Sequence, residues 1–144
     1  VNDGGFFLDF LAQQTNVAAD KVSLTGYCMG GAISLRVSAA YPNRIAAAAS
    51  FHAGNLATDA ETSPHKLLSK IKARLYIAHA DNDKSMPSEQ IALFHAALEK
   101  SGVRFEDELY SGAVHGFTMA DLPAYNPDAL QRHWEKLPTF LKNV

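Results

Sequence analysis

The chain has 144 residues, 47% of them hydrophobic and 19% charged, with 13 basic against 15 acidic side chains and a net charge of −2. That is the balance of one globular domain long enough to bury a core, and its scattered basic residues form neither a nucleic-acid footprint nor a membrane-surface face. No signal peptide is visible, no apolar run approaches the ~18–20 residues needed to span a bilayer, and a single cysteine, Cys28, excludes an internal disulfide. A lone thiol suits a reducing compartment such as the cytoplasm, and it is open to two readings, a small buried hydrophobe or a catalytic group.

The chain opens on Val-Asn-Asp-Gly-Gly, and Phe6, Phe7, Phe10 and Leu11 recur at helical spacing through Gln14. Residues 16–20 form a polar connector, and Lys21–Thr25 reads as a short strand that stops at Gly26. Gly30–Ala40, rich in Ala, Ile, Leu and Val, reads as a helix that ends before Tyr41-Pro42. Ile45–Phe51 is a continuous apolar strand of the kind buried on both faces of a parallel sheet. His52–Ser63 is a loop, Pro64–Lys70 a short helix, and Arg74–His79 another apolar strand. Asp81–Met86 is a polar loop. Pro87, at a position proline favours, opens a helix that ends at Ser101-Gly102. Val103–Tyr110 alternates as a strand does, Ser111–Asn126 is a long loop, and Pro127–Leu141 closes the chain as a helix whose Trp134, Leu137 and Leu141 share a core-facing stripe. Strands alternating with helices predict an α/β fold, a mostly parallel sheet with helices on both faces. Ligands bind such sheets beyond the carboxyl ends of the strands.

The strongest chemical signal is Gly26-Tyr27-Cys28-Met29-Gly30-Gly31, set between a strand and a helix. It is the thiol form of the G-x-S-x-G nucleophile elbow, a sharp turn that lifts its central side chain above the sheet. Small residues two before and two after the nucleophile are expected where strand and helix approach closely. The helix start favours a thiolate, and the Met29 N–H is a candidate oxyanion donor. The same hexapeptide also fits a glycine-rich turn around a buried thiol. Two strands later comes Asp81-Asn82-Asp83-Lys84-Ser85-Met86-Pro87, and one strand beyond that Tyr110-Ser111-Gly112-Ala113-Val114-His115-Gly116-Phe117. Each segment follows a strand, and the order Cys, Asp, His is the nucleophile, acid, base order of α/β-hydrolases. Asp83 and Asp81 compete for the acid role, and either could instead cap the following helix. Tyr27, His52, Phe117 and Met119 are candidate substrate-pocket residues. His52 and His79 follow strands at the same sheet end and are candidates for the pocket mouth, read as hydrogen-bonded scaffold residues rather than catalysts, and Arg36 reads as a solvated or ion-paired side chain. One Cys and six scattered His lack metal-ligand spacing, so no metal or organic cofactor is expected.

On the cysteine elbow, the Asp83–Pro87 segment and the Tyr110–Phe117 loop, the whole chain resembles the dienelactone hydrolase family. The resemblance implies the C-terminal half of an α/β-hydrolase fold, hydrolysis of small-molecule esters or lactones, and Asp83 as the acid. It also implies further strands ahead of Asn2, which in the family supply a second oxyanion donor and part of the pocket. Without them the first strand is an open edge, which implies self-association or pairing with an N-terminal half. Some members hold a substrate carboxylate with an Arg four residues after the histidine; Met119 stands there, and a thioether cannot do this. A fold remnant with an assembly or binding role stands as the alternative.

Overall fold

The computed structural model describes residues 1–18 and 22–144; residues 19–21, and with them the expected strand start at Lys21, lie outside the described residues. The elements are α1 (Asn2–Ala12), β1 (Val22–Tyr27), α2 (Met29–Ala40), β2 (Ile45–Phe51), α3 (Pro64–Leu67, continued by a 3-10 turn over Leu68–Lys70), β3 (Arg74–Asn82), α4 (Ser88–Ser101), β4 (Phe105–Val114) and α5 (Pro127–Lys142). The four strands form one parallel sheet in the order β1-β2-β3-β4.

Alternation along the strands explains the two helical layers. Ala48 of β2 with Leu75 and Ile77 of β3 face one way and pack against Leu8, Ala32, Leu35, Phe94 and Leu98 of α1, α2 and α4. Their neighbours Ala47, Ala49, Tyr76 and Ala78 face the other way, against Ala129, Leu137 and Phe140 of α5. A strand covered on both faces needs apolar residues at both phases, which is why β2 reads as an unbroken apolar run.

Several boundaries differ from the sequence reading. β3 runs on to Asn82 and β4 to Val114, and these two residues pair across the ladder after a register shift at Ala80/Asn82. Asp81, Asn82, Ser111 and Gly112 are exposed there, so their polar composition looks like loop although the backbone is strand. Pro87 is the N-cap of α4 rather than its first residue. On α5 the buried positions are Ala129, His133, Leu137 and Phe140. Trp134 sits one residue off that stripe and is 60% exposed, which corrects the expectation that it packs in the core. Helix α1 buries only Gly5 and Leu8, while Phe6, Phe7 and Phe10 are exposed. No helix among the described residues is long and apolar enough to cross a membrane.

Candidate active site

Each strand hands one candidate site residue to the carboxyl edge of the sheet. Cys28 follows β1, His52 follows β2, Asp83 follows β3 and His115 follows β4. A parallel sheet delivers all four to one rim because every strand ends there.

Cys28 occupies a turn with φ 54 and ψ −126. A non-glycine residue rarely adopts a positive φ, and holding one there costs on the order of 1–3 kcal/mol that the surroundings must offset. They do so through close packing. A Cβ on Gly26 would meet the Gly30 carbonyl oxygen at 2.0 Å, and one on Gly31 would meet Ser50 Oγ at 2.4 Å and Ala53 Cβ at 2.7 Å. The Cys28 N–H donates to Phe51 O at 3.1 Å, which pins the turn to β2. Gly30, expected to be sterically required, has open space around its would-be Cβ; the tight positions are Gly26 and Gly31. The thiol is exposed, so the buried-hydrophobe reading of Cys28 does not describe its position. Met29 is the first residue of α2, so its N–H has no intrahelical acceptor.

A continuous row of polar atoms runs from the thiol into the protein. Cys28 Sγ lies 2.9 Å from His115 Nε2. On the other side of the ring, His115 Nδ1 donates to Asp83 Oδ2 at 2.6 Å, with that carboxyl 1% exposed. Burial alone would push the Asp83 carboxyl up, but hydrogen bonds from Ser85 and His115 outweigh it and hold the group below the usual carboxylate range. Burial likewise pulls His115 down, and the neighbouring Asp83 and Cys28 outweigh it and leave the imidazole above its usual value. Asp81, the rival acid, is exposed and turns away; its carboxylate accepts from the Gly112 N–H at 3.1 Å. Neither aspartate caps α4.

Ser85 is the residue that sequence reasoning passed over. Its N–H and hydroxyl both donate to Asp83 Oδ1, at 2.8 and 2.6 Å, and its Oγ lies 3.2 Å from His115 Nδ1. Asn55 N–H donates to Ser85 O at 2.8 Å, and a Cβ on Gly54 would meet Ser85 Oγ at 2.3 Å. The spacing D-x-S ahead of Pro87 was the only available signal, and an Asp side chain bonding backbone two residues on is a common turn device.

The candidate pocket residues fall elsewhere than the cavity beside Cys28. That cavity, about 700 Å³, has Cys28, Met29, Ala32, Arg36, Lys84 and His115 among its walls. Phe117 is fully buried, stacked on Tyr110 and edge-on to His52, which corrects its placement as a pocket wall: it fills core beneath the rim. Tyr27 turns to the α5 side, where its hydroxyl meets His133 Nε2 at 2.8 Å. Met119 is 47% exposed and outside the cavity. His52 is 2% exposed, bonded to Thr118 Oγ1 at 2.9 Å and edge-on to the His115 ring at 5.3 Å. Burial first, and then the nearby His115, lower its pKa to about 4, so it is a neutral prop. His79 is buried against Asp107 in the wall of a second cavity of about 360 Å³, whose walls do not include Cys28. Among the described residues no cluster of three or more His, Cys, Asp or Glu could hold a metal ion.

A parallel sheet with helices on both faces, a strained residue at its rim and an acid and a histidine on the next strand ends define part of an α/β-hydrolase fold. The profile described as the Dienelactone hydrolase family matches residues 3–144, so the chain belongs to that family. A Synechocystis protein described as a "Putative carboxymethylenebutenolidase" is 31% identical over 85% of this chain and 50% of its own length. Protein usf of Aquifex pyrophilus is 27% identical over 94% of this chain and 56% of its own. A crystal structure from Klebsiella pneumoniae, described as a "Putative Dienelactone Hydrolase", superposes with a TM-score of 0.89 at 19% identity, covering 99% of this chain and 60% of that one. That likeness shows the fold. The chain spans about half the length of the curated relatives it matches.

Proposed function

We propose that this chain carries the acyl-transfer centre of a hydrolase acting on small-molecule carboxylic esters or lactones. The observation that carries the reading is the unbroken row from Cys28 Sγ through His115 to the buried Asp83 carboxylate. In this reading the Cys28 thiolate attacks the carbonyl carbon and forms a tetrahedral oxyanion, to which the Met29 N–H donates. Collapse breaks the ester C–O bond. His115 gives its Nε2 proton to the departing alkoxide and leaves an acyl-thioester on Cys28. Water then attacks the thioester and loses a proton to His115, releasing the acid and restoring the thiol. Asp83 holds the Nδ1–H tautomer and stabilises the imidazolium.

The single cysteine makes the test direct. Incubation with p-nitrophenyl acetate, of the chain and of any longer polypeptide containing it, is expected to add one acetyl group at Cys28. Cys28→Ser and His115→Ala are each expected to lower turnover by about 1,000-fold or more. Unchanged turnover in both variants sinks the proposal. The exposed phenylalanines of α1, and a β1 that among the described residues pairs with β2 alone, support a partner on that face, either a second copy or another segment of a longer chain.

A further inference from the structure

We propose that His52 is a positioning residue for the reaction: bonded to Thr118, it locks the turn that carries His115 and so holds that imidazole in line between Cys28 and Asp83. The inference rests on the ester-hydrolase reading and adds to that site a residue that meets the base and not the substrate. Three strand ends meet at His52. It follows β2, its N–H donates to Ala78 O of β3 at 2.8 Å, and its ring Nε2 lies 2.9 Å from Thr118 Oγ1, beyond β4. Thr118 belongs to the tight turn that starts at His115. There Gly116 has φ 88, the Phe117 N–H donates to Val114 O at 3.1 Å, and the Met119 N–H donates to Gly116 O at 3.0 Å. The His52 ring also stands edge-on to His115 at 5.3 Å and to Phe117 at 5.0 Å. Edge contacts fill space but leave rings free to slide, and the directional bond to Thr118 ties the turn to β2 and β3. His115 is then held at Nδ1 by Asp83 and through its turn by His52, with Nε2 left for Cys28 at 2.9 Å.

A residue that only filled this part of the core would not need an imidazole. His52 is 2% exposed, and its Nδ1 is buried and, among the described residues, bonds to no other residue. It also holds φ 39, which is costly for a residue other than glycine. Phenylalanine would fill the space without the orphaned nitrogen. Among the described residues the non-glycine positions with positive φ are Cys28, His52 and Asn55, which follow β1 and β2 at the same rim. Strain of this kind collects where a site over-determines the backbone. The titratable groups that face His52 are Tyr27 at the end of β1, Asp83 after β3, His115 after β4 and His133 of α5. Burial first, and then His115, lower the His52 pKa to about 4, with Asp83 acting the other way. His52 is therefore neutral across the neutral range and sets no second cation beside His115 when that ring takes up a proton.

The two partners of the bond are tested separately. Thr118→Val keeps the branched shape and removes the hydroxyl, His52→Phe keeps a ring and removes its nitrogens, and His52→Gln returns a nitrogen near the place of Nε2. With p-nitrophenyl acetate, Thr118→Val and His52→Phe are each expected to lower kcat by about 10- to 100-fold, the scale of a misplaced base, and to leave KM within about twofold. His52→Gln is expected to recover most of kcat. His52→Phe/Thr118→Val is expected to lose no more than either single variant, because both remove one bond. Alkylation of the single thiol by iodoacetamide reads the same geometry without hydrolysis. The midpoint of its rate against pH is expected to rise by about one pH unit in both single variants, as the imidazole that favours the thiolate is released. His52 does not titrate over that range, so the displacement reports on the Cys28–His115 pair. Urea midpoints taken alongside show that each variant is folded, and Thr118→Val decides the matter if His52→Phe does not fold. An unchanged kcat and an unchanged alkylation midpoint in folded Thr118→Val overturn the proposal. If no ester is turned over while the midpoint moves, the hydrolase reading fails and the positioning role stands.

Discussion

Ser85 shows how much of this site is held by a residue with no place in a three-member catalytic pattern. It supplies two donors to one Asp83 oxygen while His115 occupies the other, so the buried carboxylate is satisfied on both sides. A buried carboxylate left short of donors is costly, and Ser85 is what makes ionised Asp83 tolerable in the fold. Ser85→Ala is therefore expected to destabilise the chain by about 1.5–3 kcal/mol at neutral pH, the range for a hydrogen bond to a charged group. The sign of its pH dependence follows from linkage. Asp83 titrates below its unfolded value of 3.8, so its contribution is present above that pH and is lost as pH falls through the lower folded value. The gap in urea midpoint between the unmodified chain and Ser85→Ala should then close on acidification below the ordinary carboxylate range. A gap that stays constant from neutral pH to that acid end would mean that Ser85 contributes packing only.

At the scale of elements, α5 shows why helical spacing is not enough to name a core face. Trp134, Leu137 and Leu141 are a legitimate helical stripe, but the stripe at Ala129, His133, Leu137 and Phe140 is the one that meets β2, β3 and β4. The choice is made by polar groups that fix the helix's rotation. Arg132 and Lys136 reach the Glu108 carboxylate of β4 at 2.6 and 2.7 Å, and His133 meets Tyr27. With those contacts made, the indole is left outside. Leu137→Ala is expected to cost about 2–4 kcal/mol, as buried leucines do, and Trp134→Ala about 0.5 kcal/mol or less. Equilibrium unfolding of the two variants checks this; a larger loss for Trp134→Ala would put the indole in a core that the structure denies it. The cysteine elbow is an intermediate case: the sequence pattern located the turn, but the close approach after Cys28 falls on Gly31 and not on Gly30. Gly26 and Gly31 are demanded by backbone and side-chain atoms within a few ångströms, and such local crowding leaves a glycine signature wherever the turn occurs.

For the whole molecule, the asymmetry of the sheet matters most. β4 is partnered by β3 on one side, and among the described residues β1 is partnered by β2 alone, so β1 is the edge strand beside an α1 whose Phe6 and Phe10 are 73% and 61% exposed. An edge strand beside an apolar patch is a site for association. The chain is expected to self-associate with rising concentration, and Phe6→Glu/Phe10→Glu to shift it toward monomer. Sedimentation of both across a concentration series checks this, and identical, concentration-independent profiles would remove the face from consideration.

The sequence by itself determined the order of elements, the parallel sheet with its two helical layers, and the order Cys28, Asp83, His115 along the chain. These are local or periodic properties: an apolar run, a glycine pair around a turn, a proline near a helix start. Only the tertiary structure decided which aspartate meets His115: Asp81 is still within β3 and is bonded to Gly112 of β4, whereas Asp83 lies in the turn past the strand end, where the His115 loop comes within reach, and two aspartates two residues apart look alike in sequence. It also decided that Phe117 is core, that Trp134 is surface, and that Ser85 and Arg36 face the cavity. Those outcomes depend on how separate strands and helices come together across the sheet, and no window of a few residues contains that information.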